Sequence, residues 1–359
     1  MHDSIERRHS LRVLILSTRH ASNTENKREE RIFGGMVKTL IGAGLNAEHR
    51  TIRSERDLLA TVSFMEPDIV LNALHCSDHA SGSYRSIQKI ISERGYARVG
   101  TDEDSLALID SRYSIQERWR RDGVATSLSF SIQKSRDGFL EGAERVELAR
   151  DFPWSIRPDI GIASRRDRYA SVASSNVELR RNINDLSRKF DRIIVEKCPG
   201  SKSGVHFYSV GVIGNYDRTL VMPLELHFKK GTHAHSVADR DITRRRVVPT
   251  PVYDKALEDE LKRFARAAYI SAGVRDFARI EIIRSENAFQ AIDIKAQPLV
   301  PDPLFDACAA NAGLDQDQRT IAIFVAGFAR LFREGSAFIS MPSKMSSSLA
   351  KPFFSILYD

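Results

Sequence analysis

The sequence predicts an α/β fold that becomes α+β in its C-terminal part and opens with a parallel sheet. Three observations predict it. Two dense β-branched runs, at residues 11–17 and 67–74, read as strands buried on both faces, the habit of parallel sheets. Stretches of helical period lie between the early strands, the alternation of βαβ units. Beyond about residue 105 that alternation stops, and strand-like runs follow one another closely, as antiparallel strands do.

Taken in order, the strand at 11–17 leads to a helix over 29–43, stopped by Gly42 and Gly44. A strand at 46–52, a helix at 54–64 and the strand at 67–74 follow, the last ending at His75. A helix over 84–94 closed by Gly95 and a short strand at 97–100 complete the first layer. Ligands of such sheets gather at the carboxyl ends of the strands, where Ser17 and His75 stand. Residues 105–122 read as one helix stopped by Gly123. Strands at 127–133 and 154–157 flank a charged helix, and a helix over 176–190 precedes a strand at 192–197. Residues 204–213 alternate as an antiparallel strand, with a turn at Gly214-Asn215 and further strand over 220–228. Residues 229–251 are polar, rich in Arg and His and without period, so a long loop is expected. A helix at 256–272, a hairpin of 278–283 with 289–294, and an apolar helix at 316–332 come last. The breaks divide the chain into an N-terminal α/β domain (1–104), a central subdomain (105–200), a C-terminal domain (201–335) and a weakly specified tail (336–359).

The 359 residues are 42% hydrophobic and 28% charged, an ordinary balance for a folded protein. No run approaches the roughly 18 apolar residues of a membrane-spanning helix, and the charged start lacks the apolar stretch of a signal peptide. Cys76, Cys198 and Cys308 stand far apart without a CxxC pair. That speaks against a disulfide framework or thiolate zinc site and fits a reducing, cytoplasmic setting. The net charge of +7 invites a polyanion, but the basic residues are scattered without interleaved aromatics. Nucleic acid is therefore disfavoured as a partner, while a local phosphate or carboxylate site stays open.

Four stretches together resemble the ATP-grasp superfamily, in its D-alanine–D-alanine ligase-like branch. They are Leu71-Asn72-Ala73-Leu74-His75, with Ile87-Gln88 and Gly100-Thr101; then Phe152-Pro153-Trp154-Ser155-Ile156-Arg157-Pro158; then Ile194-Val195-Glu196-Lys197 with Pro199-Gly200. The fourth is Gly273 with Phe277-Ala278-Arg279-Ile280-Glu281, followed by Ala291-Ile292-Asp293-Ile294-Lys295-Ala296-Gln297-Pro298. The resemblance spans roughly residues 11–335 and implies a three-domain ATP-grasp fold. It also implies ATP and Mg²⁺ as cofactors, small-molecule carboxylate and amine substrates, and homodimers. On that footing Arg157, Glu196 and Lys197 hold the nucleotide, Glu281 and Asp293 the metal, Arg279 the acylphosphate oxygens, and His75 the substrate. Arg279 and Glu281, two apart on a strand, share one face.

The chain departs from that pattern at its chemistry. Lys295 stands where the family has Asn, a neutral oxygen ligand, so a cation without acceptor atoms enters the metal site. Ser111 stands near an expected lysine, and Lys202 near an expected ribose-binding glutamate. Leu299 replaces a glycine, and no serine for a second D-alanine is found near Pro303. Two readings follow. One is an ATP-dependent ligase joining an amino-acid or peptide-like carboxylate to an amine, with a product other than the D-alanine dipeptide. The other is a catalytically inactive ATP-grasp-like binding or scaffold protein. Single residues carry alternatives too: His75 contacts substrate or fills a strand end, Glu196 meets adenine or lies on a surface edge, and Glu281 with Asp293 binds metal or forms a solvated or Lys295-paired cluster.

Overall fold

The computed structural model of the protein describes residues 10–18, 23–73, 89–149, 151–159, 169–198, 204–228, 247–286, 288–298, 302–336 and 339–358. His75, Cys76, Lys202, Leu299 and the Arg/His-rich residues 229–246 lie outside the described residues. The chain divides into two compact units. One comprises Met1–Gly100, Ile213–Leu220 and Leu314–Asp359, the other Thr101–Val212 and Val221–Gly313.

In the first unit, β1 (Arg12–Thr18), β2 (Asn46–Ile52), β3 (Ile69–Asn72) and β4 (Ala97–Val99) form a parallel sheet in the order β2-β1-β3-β4. Val13 to Leu16 and Ile69 to Leu71 are fully buried, which explains their uninterrupted apolar character. Helix α1 (Asn23–Gly42) buries Phe33, Met36 and Leu40 at three- and four-residue spacing. Helix α2 (Glu55–Met65) starts where the Ser54 hydroxyl accepts from the Asp57 amide.

In the second unit, the 105–122 stretch forms two helices, α3 (Glu103–Ile109) and α4 (Arg112–Arg121), instead of one. Ser111 breaks it: its backbone is extended and its hydroxyl caps α4 through the Ser114 amide. A five-stranded sheet follows, ordered β6-β5-β9-β7-β8, from β5 (Ser129–Lys134), β6 (Leu140–Glu141), β7 (Trp154–Pro158), β8 (Ser171–Ala173) and β9 (Arg192–Lys197). The charged helix expected between its early strands is a short 3-10 turn at Ala143–Leu148. Helix α5 (Asn176–Ser187) packs Leu179, Ile183 and Leu186 onto the apolar face of Phe130, Ile132, Trp154, Ile156, Ile193 and Val195.

The last sheet has the order β12-β11-β10-β13-β14, from β10 (His206–Asn215), β11 (Arg218–Phe228), β12 (Val247–Pro251), β13 (Phe277–Ser285) and β14 (Ala288–Ala296). The β10–β11 turn falls at Tyr216-Asp217, two residues beyond the expected place. The expected 229–251 loop ends early, because Val247–Pro251 pairs with β11. Helix α6 (Lys255–Ser271) buries Leu261, Ala265 and Ala268, and the Trp119 indole of α4 donates to the Ala268 carbonyl at 3.0 Å. Helix α7 (Pro303–Asn311) had no counterpart in the pattern; Asp302 caps it and Pro303 opens it.

Back in the first unit, α8 (Gln316–Arg333) begins with a capping box of Asp315 and Gln318. A Cβ on its Gly327 would sit 2.8 Å from Val99 Cγ2, so this helix requires glycine to approach β4. The tail expected to be weakly specified forms α9 (Ser343–Ser348) and α10 (Lys351–Leu357), which bury Met345 and Leu357.

Candidate functional site

The described candidate site residues belong to the second unit, where strand register decides which way each points. Cross-strand partners share a face. In the β5-β9-β7 sheet, Ser129, Glu196 and Ser155 form one row, and Ser131, Ile194 and Arg157 the next. This is the face opposite the α5 core, and it is the polar one. Its far end opens into a cavity of about 330 Å³ lined by Ser111, Tyr113, Gln133, Arg145, Asp159 and Arg192. That volume is at the small end of ligand sites. Gly142 frames it: at φ 86°, with a Cβ position only 2.5 Å from the Ser131 carbonyl oxygen, no side chain fits there. Asp159 fixes the adjoining turn by accepting from the Ser111 hydroxyl at 2.7 Å and the Tyr113 amide at 3.0 Å.

One face of α4 covers the same polar surface. Arg112 and Gln116 are four residues apart and so point together. Arg112 Nε lies 2.9 Å from Glu196 Oε1, Gln116 Nε2 donates to the same oxygen at 2.6 Å, and Ser129 donates to Gln116 Oε1 at 2.5 Å. From β7, Arg157 Nε forms an ion pair with Glu196 Oε2 at 3.2 Å, and its Nη2 donates to Ser155 at 3.0 Å. Burial opposes the charge on Glu196, yet Arg112 and Arg157 hold its carboxyl below the ordinary range. Lys197, the next residue, points the other way and lies 5.6 Å over the Trp154 ring.

The second cluster stands on β13 and β14. Arg279 pairs with Lys295 in register, and Glu281 with Asp293, so four charged side chains form a two-by-two array on one face. Immediately beyond it the register slips by one residue at Ile292, a bulge of the kind that re-aims side chains. The array sets cation opposite cation and acid opposite acid, the unfavourable choice for a sheet left to itself. Asp302 relieves the cations: its carboxylate is 2.9 Å from Arg279 Nε and 3.0 Å from Lys295 Nζ. Burial would raise its pKa, but Arg279 and Lys295 hold it far below the carboxylate range. Burial likewise works against charge on Arg279, and Asp302 and Glu281 reverse that, keeping it firmly protonated. Glu281 Oε1 accepts from Arg279 at 3.1 Å. Asp293, whose side chain is 40% exposed, accepts from Arg112 Nη1 at 3.2 Å. Arg112 thus joins the two clusters, with one edge on Glu196 and the other on Asp293.

This arrangement invites comparison with known proteins. No family model matches the chain. The D-alanine–D-alanine ligase of Pediococcus pentosaceus is 23% identical over 269 residues, covering 74% of this chain and 71% of that one. The structure of the Bacillus anthracis D-alanine–D-alanine ligase complexed with ATP superposes with a TM-score of 0.68 at 15% identity, covering 90% of this chain and 99% of that one. The VanG D-Ala:D-Ser ligase of Enterococcus faecalis gives 0.67 at 14% identity, covering 89% and 100%. The chain therefore shares the fold of these D-alanine–D-alanine and D-Ala:D-Ser ligase structures.

Within that fold, Arg157 and Glu196 meet one another, and Arg279, Glu281 and Asp293 share one face of β13–β14. Lys197 turns its side chain away from Glu196. Lys295 pairs with Asp302, while Arg279 and Arg112 serve Glu281 and Asp293. Glu196 is buried, not an edge residue. Arg112, Gln116 and Asp302 escaped the sequence reading. Asp302 had a signal, an Asp before Pro that begins a helix. Arg112 had none, because helical spacing shows that it shares a face with Gln116 but not what that face covers.

The donor set can be tested against a hard divalent cation. Such ions take oxygen ligands, and Mg²⁺ commonly uses one or two carboxylates completed by phosphate oxygens and water. Glu281 and Asp293 are two carboxylates opposite each other, each also held by an arginine. Lys295 offers no acceptor. Among the described residues, no three His, Cys, Asp or Glu side chains gather closely enough to hold a metal by themselves. No helix among the described residues is long and apolar enough to cross a membrane.

Proposed function

We propose that the protein is an ATP-dependent carboxylate–amine ligase that works through an acylphosphate on an amino-acid or peptide-like substrate. The observation that carries this reading is the opposed pair Glu281–Asp293 with Arg279 beside it, on a fold shared with D-alanine–D-alanine ligases. Two acids facing each other across a β-ladder favour a cation between them. A bound Mg²⁺ would supply charge neutralisation for the transferred phosphoryl group. In this reading Glu281 and Asp293 hold that ion. Arg279, fixed by Asp302 and always charged, presents its guanidinium to the acylphosphate oxygens. Arg157 steadies phosphate, and Glu196 stands at the adenine end. Lys197 serves the nucleotide through its backbone, its side chain lying on Trp154. His75 contacts the substrate. Leu299 in place of a glycine, and the lack of a matching serine near Pro303, speak for a product other than the D-alanine dipeptide. A homodimer in the cytoplasm is the setting this reading carries.

A second reading has its own observation. Arg112, Arg157, Arg279 and Lys295 are matched by Glu196, Glu281, Asp293 and Asp302, so the charges of the joined clusters cancel without any ligand. A catalytically silent binding or scaffold protein needs no more than that. Calorimetric titration with MgATP, followed by phosphate release with amino-acid mixtures, separates the two. Saturable binding with turnover lost in Glu281→Gln supports the ligase; no heat at millimolar MgATP rejects it.

A further inference from the structure

Arg112 sets its guanidinium between two carboxylates from different strands. Its Nε is held 2.9 Å from the buried Glu196, and its Nη1 lies 3.2 Å from Asp293. Those two partners differ. Glu196 is nearly sealed and has Arg157 and Gln116 besides. Asp293 is half-exposed and sits opposite another acid, Glu281. The two contacts therefore have unequal weights. The Glu196 edge anchors the guanidinium, while the Asp293 edge is screened and readily exchanged.

We propose that Arg112 is a built-in counter-cation that controls whether the Glu281–Asp293 pair accepts a divalent ion: its Nη1 neutralises Asp293 when the ion is absent and must withdraw when the ion binds. The inference rests on the ligase reading for the use of that ion, and adds a residue that sets the site's cation affinity. The register supports it. Glu281 is already served by Arg279, which Asp302 locks in place, so Asp293 is the acid with a replaceable partner. Geometry supports it too. Arg112 opens α4 directly after the Ser111 break, and Asp159 pins that break through the Ser111 hydroxyl and the Tyr113 amide. The backbone at Arg112 is thus fixed, and release is a side-chain movement. A guanidinium and a divalent ion on the same carboxylate repel each other strongly at a separation of a few ångströms. Ion binding at Asp293 and the Arg112–Asp293 contact therefore compete.

The test is Mn²⁺ binding to the full chain, read by electron paramagnetic resonance of free Mn²⁺ and independent of any turnover. Arg112→Gln should bind Mn²⁺ about tenfold or more tightly than wild type, since a repelling charge is gone. Arg112→Lys keeps the charge on a shorter, non-bridging head and should fall between them. Asp293→Asn should abolish the gain in the Arg112→Gln background. Equal or weaker Mn²⁺ affinity in Arg112→Gln, with circular dichroism and tryptophan emission unchanged, overturns the proposal. If Arg112→Gln does not fold, Arg112→Lys decides alone: affinity at or below wild type overturns the proposal. These outcomes are separate from the fate of the ligase reading. MgATP binding with turnover, but no effect of Arg112 on Mn²⁺ affinity, removes this inference and leaves the ligase standing. Tighter Mn²⁺ in Arg112→Gln without MgATP binding does the reverse.

Discussion

Glu196→Gln is the sharpest perturbation of the polar face. The exchange keeps shape and an acceptor but deletes the charge that two guanidiniums share. Arg112 retains Asp293, whereas Arg157 loses its carboxylate at 3.2 Å while buried. Deleting one member of a buried ion pair costs about 3–5 kcal/mol, and the retained amide brings the expectation to about 3 kcal/mol. Against a total of about 5–15 kcal/mol, that loss is easily resolved. Both tryptophans, Trp119 and Trp154, belong to the unit that contains Glu196, so tryptophan emission during urea unfolding reports that unit selectively. The pH dependence gives a second readout. The folded carboxyl titrates below its ordinary 4.5, so its contribution is complete above that value and fades as pH falls through the lower folded value. The wild-type advantage over Glu196→Gln should therefore be constant above about pH 5 and shrink below 4.5. A loss under about 1 kcal/mol, or a difference that does not change down to pH 3, would refute the claim that Glu196 is held by Arg112 and Arg157.

Three further outcomes are expected. His49, stacked on Phe33 and sharing a 2.9 Å hydrogen bond with Ser17, is lowered from 6.5 to about 4 by burial and by Arg50. The unfolded chain therefore takes up the proton first, and stability should fall by about 1–2 kcal/mol between pH 6.5 and 4, after allowing for the ring's partial exposure. Circular dichroism in urea at pH 7.5 and 5 should show that loss in wild type and not in His49→Gln. Gly327→Ala gains about 1 kcal/mol of helix propensity but overlaps Val99, and a net loss of about 1–2 kcal/mol should appear, relieved by Val99→Ala. Cys198 and Cys308, both pushed up to about 12 by burial, should resist an aromatic disulfide reagent at pH 8 until the chain is unfolded, as peptide mapping by mass spectrometry would show.

The sequence shows its elements where local physics acts alone. The runs around Leu14 and Val70 are apolar throughout because both faces are covered. Helices bounded by Ser54, Ser175 and Asp254 carry side-chain caps that can be read from composition. The failures share a cause. The helix over 105–122 breaks at Ser111 because Asp159, far along the chain, draws the Ser111 hydroxyl and the Tyr113 amide to itself. Residues 247–251 look like loop because their partner strand β11, not their own pattern, makes them a strand.

The site divides in the same way. Arg279, Glu281 and Asp293 are legible because strand period and hairpin pairing place them together, and that needs only the order of residues on two adjacent strands. What decides their chemistry is supplied from a distance. Asp302 comes from beyond β14 to neutralise two facing cations, and Arg112 comes from a helix 181 residues away to neutralise one of two facing acids. The asymmetry between these two corrections is informative. Asp302 is sealed, caps a helix and serves both cations at once, so that half of the array is finished. Arg112 serves one acid, at its exposed edge, while its other edge is tied to Glu196. The acid half, closed in part at an exposed edge, is the one assigned to a hard cation in the ligase reading, and it is there that a ligand's charge has the most to contribute.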